Sequence, residues 1–231
     1  MELTNTKETM QNGYDSLLLG YAAGILDQAQ MLAVDTHLSF SKGAQQSISK
    51  YEAIGGALMN EHCDIEAMNA DSLDNILNRL DDSPSTTHKA HQKLTGNQEI
   101  SKEIGFDLPF PISKMISEQS KALKWRSPYP GFKSYDFDIE CETSIARFVQ
   151  AKPGVKSPNH SHAGTEITVV LDGAFTDETG EYKVGDLIVT DETCEHAPIA
   201  CKFDGCTCFV VTSAPIKLTG IASVLNPFLK P

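Results

Sequence analysis

The chain has 231 residues, 40% hydrophobic and 22% charged, with 31 acidic and 19 basic side chains giving a net charge of −12. That size and mix suit a globular protein with a sizeable core, organised as one large or two small domains. No apolar run approaches the roughly eighteen residues of a membrane span, and no Lys/Arg cluster is present to neutralise phosphates, so direct nucleic-acid binding is excluded as well. The acidity, concentrated in the first half, suits a basic partner. The N-terminal stretch lacks a basic start and an apolar h-region, which makes the cytoplasm the expected location.

Helical periodicity governs the first third. Tyr14-Asp15-Ser16 offers caps ahead of Leu17, Leu18, Leu19 and Tyr21, and Gly24 offers a stop. Asp27 predicts the start of a second helix carrying Met31, Leu32, Val34 and Leu38. A third is expected over about 42–60, with Ile48, Tyr51, Ile54 and Leu58 along one stripe. A fourth is expected over about 72–80, where Leu73, Ile76, Leu77 and Leu80 fall at i, i+3, i+4 and i+7. Residues 81–99 hold almost no large apolar group and carry Pro84 and Gly96, the composition of a linker.

Beyond about residue 104 the period changes. Apolar runs at 144–151, 165–171, 186–190 and 207–212, separated by Gly, Pro and Asp, are the pattern of an all-β sandwich or barrel. The expected organisation is multidomain α+β, with helices in 1–80, a linker in 81–104 and a β domain in 105–231. Trp125-Arg126, ahead of Pro128 and Pro130, reads as an entry segment lying over the barrel.

The chemistry gathers in this β half. His160 and His162 are two apart, so on a strand their rings leave from one face about 7 Å apart, within reach of one ion. Glu166 keeps the same parity, and His196 follows a Gly185-Asp186 turn and a short strand. Three imidazoles and a carboxylate form a borderline N/O donor set suited to a divalent zinc, iron, manganese or nickel ion. Six cysteines are present, four of them between 194 and 208, with no CxxC pair. They read as reduced and buried, with redox sensing as the alternative and Cys194 as the oxidisable neighbour of His196. His88 and His91, three apart, read as exposed linker residues.

Gly154-x5-His160-x-His162-x3-Glu166-x6-Gly173 resembles the first motif of the cupin superfamily at every defined position. Gly185-x5-Asp191-x-Thr193-x2-His196-x3-Ala200 resembles the second, with Asp191, Thr193 and Ala200 departing from its usual Pro, Gly and Asn. The resemblance implies a double-stranded β-barrel holding one divalent metal, zinc first, on His160, His162, Glu166 and His196.

Segments 17–29, 36–40, 51–59, 160–180 and 204–218 together resemble the ChrR-type anti-sigma factors, in which a zinc-binding helical domain is joined to a cupin. The resemblance implies a regulator that sequesters an extracytoplasmic-function sigma factor and releases it on oxidative stress. It also locates the family's helical zinc ligands at Asn12, His37, Ser41 and Ala44. Only His37 can ligate, so no zinc is expected in the helical domain. A helical domain without that ion must draw stability from its own apolar faces, from a homodimer partner or from the cupin. The alternative function is a metal-dependent cupin dioxygenase or related enzyme, with no catalytic residue assigned.

Overall fold

Helices come first and strands second, as the change of period predicts. The computed structural model describes residues 2–62, 68–81, 101, 104–118, 123–139, 141, 143–220 and 223. The expected linker over 82–100, with His88 and His91, lies outside the described residues.

The first helix, α1, spans Glu2–Ala22, so it starts twelve positions before the caps read in the sequence. Tyr14, Asp15 and Ser16 lie within it, where Gln11 donates a hydrogen bond to Asp15 at 3.1 Å. Extending a formed helix is cheap compared with nucleating one, and Met10, Gly13 and Leu17 share the face that meets the β domain. Gly24, at φ +69°, lies just past its end as expected.

Helix α2 spans Gln28–Leu38 and opens on a complete capping box: the Asp27 carboxylate accepts from Gln30 N while the Gln30 side chain accepts from Asp27 N. Helix α3 spans Lys42–His62, α4 Ser72–Asp81 and α5 Phe110–Glu118.

Among the described residues nine antiparallel strands follow: β1 (Phe132–Asp136), β2 (Ile145–Ala151), β3 (His160–His162), β4 (Glu166–Thr176), β5 (Glu181–Lys183), β6 (Leu187–Thr190), β7 (Ile199–Ala200), β8 (Cys206–Thr212) and β9 (Ile216–Leu218). The main sheet runs β1-β2-β8-β4-β5 with β6 and β7 also paired to β4, and β3 pairs with β9. A register shift between Val170 and Asp172 bends the long β4. Gly173, at φ +69°, sits where a Cβ would come 2.2 Å from the Gly205 carbonyl oxygen, so only glycine fits that strand crossing.

Strand β8 is buried at every position. Its alternate side chains belong to two cores. Cys206, Cys208 and Val210 join Val170, Phe175 and Ile188 inside the barrel. Phe209 and Val211 join Ile167, Val169, Leu171 and Val189 on the outer face.

That outer face is covered by Leu17 and Leu18 of α1, Ala29, Ala33 and Val34 of α2, and Ile112 and Ile116 of α5, all in one continuous core. Small alanines let α2 approach the sheet closely. Gly13 does the same for α1, since a Cβ there would come 2.9 Å from Val189 Cγ1. Trp125 stacks on Phe148 with ring centroids 6.2 Å apart, which realises the expected entry segment.

A polar tie reinforces the packing. The Asp27 carboxylate that caps α2 also accepts from Thr143 Oγ1 at 2.8 Å and Ser144 Oγ at 2.6 Å, just ahead of β2. Burial would raise this carboxyl, but the hydrogen bonds from Ser144, Gln30 and Thr143 outweigh it and hold the group below the usual carboxylate range.

Candidate metal centre

Two short segments build the site. In β3, the period-two geometry aims His160 and His162 to one face, and β3 is held by pairing with β9 at Leu218 and Ile216. His196 is brought beside them by a reciprocal pair of backbone bonds, His160 N to His196 O and His196 N to His160 O, both 3.0 Å. All three rings are buried. Their ligand atoms lie within 4.8 Å of one another, and among the described residues no other group of three His, Cys, Asp or Glu side chains converges in this way.

The hydrogen bonds fix which nitrogens face inward. His160 Nδ1 donates to the Pro158 carbonyl at 2.8 Å, so its Nε2 carries a lone pair. His196 Nδ1 donates to Asp177 Oδ2 at 3.1 Å, which leaves its Nε2 bare as well. That Nε2 stands 3.2 Å from His162 Nε2. Bare ring nitrogens converging in a buried space are an arrangement that a cation satisfies. Burial, with the neighbouring His196 in both cases and against the charge of Glu166, pushes the pKa of His160 and His162 down and so favours the neutral, ligating form.

Glu166 opens β4. Its Oε2 lies 3.5 Å from His162 Nδ1, a buried nitrogen with no hydrogen-bond partner, and its Oε1 accepts from Thr168 Oγ1 at 3.1 Å. The structure thus brings the four residues singled out by spacing to one end of the barrel, three converging and Glu166 flanking His162. The residues fit a divalent ion, which His160, His162 and His196 would hold with Glu166 as the adjoining carboxylate.

Asp177 was missed in the sequence. Its side chain is almost wholly buried and orients His196, while its other oxygen accepts from Thr179 N at 2.8 Å and Thr179 Oγ1 at 2.5 Å. Burial would raise this carboxyl, but the bonds from His196 and Thr179 outweigh it and hold it below the usual range. The Asp-Glu-Thr-Gly turn at 177–180 announces the Asx turn. Nothing local announces the bond to a ring nineteen positions away.

Cys194, expected as the oxidisable neighbour, is buried, and its thiol is pushed up to about 11 by that burial and by Asp177 and Asp191. At neutral pH it is protonated and unreactive. Cys206 and Cys208 lie on one face of β8 as read, with sulfurs 3.4 Å apart inside the barrel.

In the helical domain, His37 is buried with both ring nitrogens engaged: Nδ1 donates to the Gly185 carbonyl at 2.7 Å, and Nε2 accepts from the Tyr14 hydroxyl at 3.0 Å. Ser41 Oγ accepts from Ala44 N at 3.2 Å. His37 is therefore a contact between helices and barrel rather than the plain helix-end residue its position suggests.

Helices laid on the outer face of a cupin barrel that gathers three buried histidines define the class, a cupin protein with an appended helical domain. Residues 113–215 match the family described as the ChrR Cupin-like domain. The anti-sigma-E factor ChrR of Cereibacter sphaeroides is 30% identical over 220 residues, covering 94% of this chain and 96% of that protein. The crystal structure of Rhodobacter sphaeroides SigE in complex with the anti-sigma ChrR superposes with a TM-score of 0.67 at 31% identity, over 86% of this chain and 96% of that one. The chain belongs to the ChrR-type anti-sigma factor family.

Proposed function

We propose that the chain sequesters an extracytoplasmic-function sigma factor on its helical domain, and that a divalent metal in the cupin, zinc first, sets the strength of that hold in response to oxidants. The observation that carries the sigma-binding reading is an uncovered apolar surface. Ile54, Leu58 and Met59 of α3 and Leu73, Ile76 and Leu77 of α4 are 48% to 64% exposed. On α4 the three lie at i, i+3 and i+4, an amphipathic helix whose apolar stripe faces solvent. Such a stripe marks a surface built to receive a partner, and acidic Glu52, Glu61, Asp71 and Asp74 beside it favour a basic one.

Family membership supports the identity of the partner, because the related ChrR was crystallised with SigE. No helix among the described residues is long and apolar enough to cross a membrane, in keeping with a cytoplasmic regulator.

The test is co-expression of the full chain with sigma factors of that class, followed by affinity capture. The wild type is expected to retain one of them in a stable complex. Ile76→Asp with Leu77→Asp, placed on an exposed face, is expected to fold and to lose it. Capture of no sigma factor by the wild type would refute the reading.

The sensing arm rests on the family likeness and on the convergent histidines. A bound ion would supply charge that the lone pairs of His160, His162 and His196 satisfy. Oxidation that altered the ligand set would shift the balance between sigma-bound and free forms. Release of the captured sigma factor after oxidant treatment, absent from His160→Ala with His162→Ala, is the expected result.

A further inference from the structure

Strand β6 touches both the helical domain and the loop that leads to the metal centre. At its upstream side, the Gly185 carbonyl accepts the hydrogen bond from buried His37 Nδ1 at 2.7 Å, and Tyr14 of α1 holds the other ring nitrogen. Gly185 is at φ +93°, and a Cβ there would come 2.7 Å from Phe40 Cβ, so the chain leaving α2 is seated directly on this turn. At the middle of the strand, Val189 meets α1 at Gly13, where the approach leaves no room for a side chain.

The downstream side leads to the histidines. Thr190 pairs with Glu166 across the ladder. A tight turn closed by Cys194 N on the Asp191 carbonyl at 3.1 Å then delivers His196 to its reciprocal bonds with His160. Gly185 and His196 are eleven positions apart on a segment held at the turn, in the strand and at the site.

We propose that β6 couples the metal centre to the helical domain, so that an ion on His160, His162 and His196 tightens the seating of α1 and α2. The proposal rests on the metal-binding reading above. An ion fixes His196 against β3 and thereby the position of the 191–195 turn and β6. With the site empty, a single hydrogen bond between His162 Nε2 and His196 Nε2 at 3.2 Å holds the rings together, a weaker tie on that turn than an ion shared by three rings. Because coupling between two sites is reciprocal, loosening the helices weakens metal binding by the same factor that metal binding tightens them.

The test uses the full chain, stripped of metal and titrated with zinc by calorimetry, with amide hydrogen exchange followed over residues 9–22 and 28–38. In the wild type, zinc is expected to slow exchange in both segments by about 5-fold or more, the lower end of typical coupling. In His37→Ala, zinc still binds, its protection of α1 and α2 is lost, and its affinity falls by a matching factor. Tyr14→Phe, a gentler change that keeps the ring, loses part of the protection. It carries the comparison alone should His37→Ala not fold.

Zinc bound by the wild type with unchanged exchange overturns the coupling while leaving the metal site standing. Protection in the variants equal to the wild type's overturns it too. Failure of the wild type to bind zinc overturns both readings.

Discussion

His196 and His37 are each held in one tautomer, by Asp177 and by the Gly185 carbonyl respectively. At His196, the Asp177 carboxylate can only accept, so it keeps the proton on Nδ1 and the lone pair on Nε2. Asp177→Asn preserves the Asx turn but turns an N–H toward Nδ1, which drives the proton to Nε2 where the ion would bind. The expected outcome is a folded protein whose zinc affinity, measured by chelator competition, falls about 10–100-fold.

His37 gives a pH prediction. Burial, against the opposing bond to Gly185 and the charge of Asp186, holds it below the ordinary histidine value of 6.5. Its folded pKa is thus the lower of the two, and the unfolded chain takes the proton first. Its stabilisation is complete above about 6.5 and is lost as pH falls through the folded value. In metal-free protein, where His160 and His162 act with the same sign, Tm is expected to drop from pH 7 to pH 5 and to drop less in His37→Phe.

The convergence of His160, His162 and His196 was readable because a strand's period of two and the reach of one ion constrain spacing tightly. The roles of Asp177 and His37 were not. Each depends on a contact across 19 or 148 positions, and both residue types are commonplace on surfaces.

Among the elements, helices were found where an apolar stripe and a cap coincide, as at Asp27 and along Leu73, Ile76 and Leu77. The first dozen residues of α1 carry no such stripe, and their helical state follows from propagation and from the sheet beneath Met10 and Gly13. Strands β2, β4, β6 and β8 stood out as apolar runs. Strands β5, β7 and β9 are two or three residues long, too short for a period to show.

The sharpest element-scale prediction concerns the turn before β6. Gly185→Ala combines a backbone that L-residues adopt at a cost of about 1–2 kcal/mol with a Cβ driven toward Phe40. A fall in Tm of roughly 4 °C or more is expected in differential scanning calorimetry. A neutral result would mean that the end of α2 is not seated on this turn.

At the scale of the whole molecule, the sequence reads as two units with a linker, whereas the core runs through both. Leu17, Leu18, Ala33 and Val34 of the helices share one apolar cluster with Ile167, Val169, Phe209 and Val211 of the sheet. Composition revealed two periods but not which face of the sheet the helices would cover. The largely apolar run of β8 held a hint, because a strand buried on both faces needs a layer beyond the barrel. Of the three sources of stability expected for the helical domain, the structure shows its own apolar faces and the cupin in use, since Leu18, Ala44 and Ile48 share one cluster with Ile167 and Val189. One core predicts one cooperative transition in the calorimeter for the full chain, with calorimetric and van't Hoff enthalpies in agreement. Two resolved transitions would contradict it.

The bare apolar side chains of Met59 on α3 and of Leu73, Ile76 and Leu77 on α4 have a consequence in the cell. A molecule displaying such side chains without a mate invites clumping, chaperone capture and degradation. Copies made in surplus are therefore the ones removed, and the supply of this protein is trimmed toward that of whatever covers it.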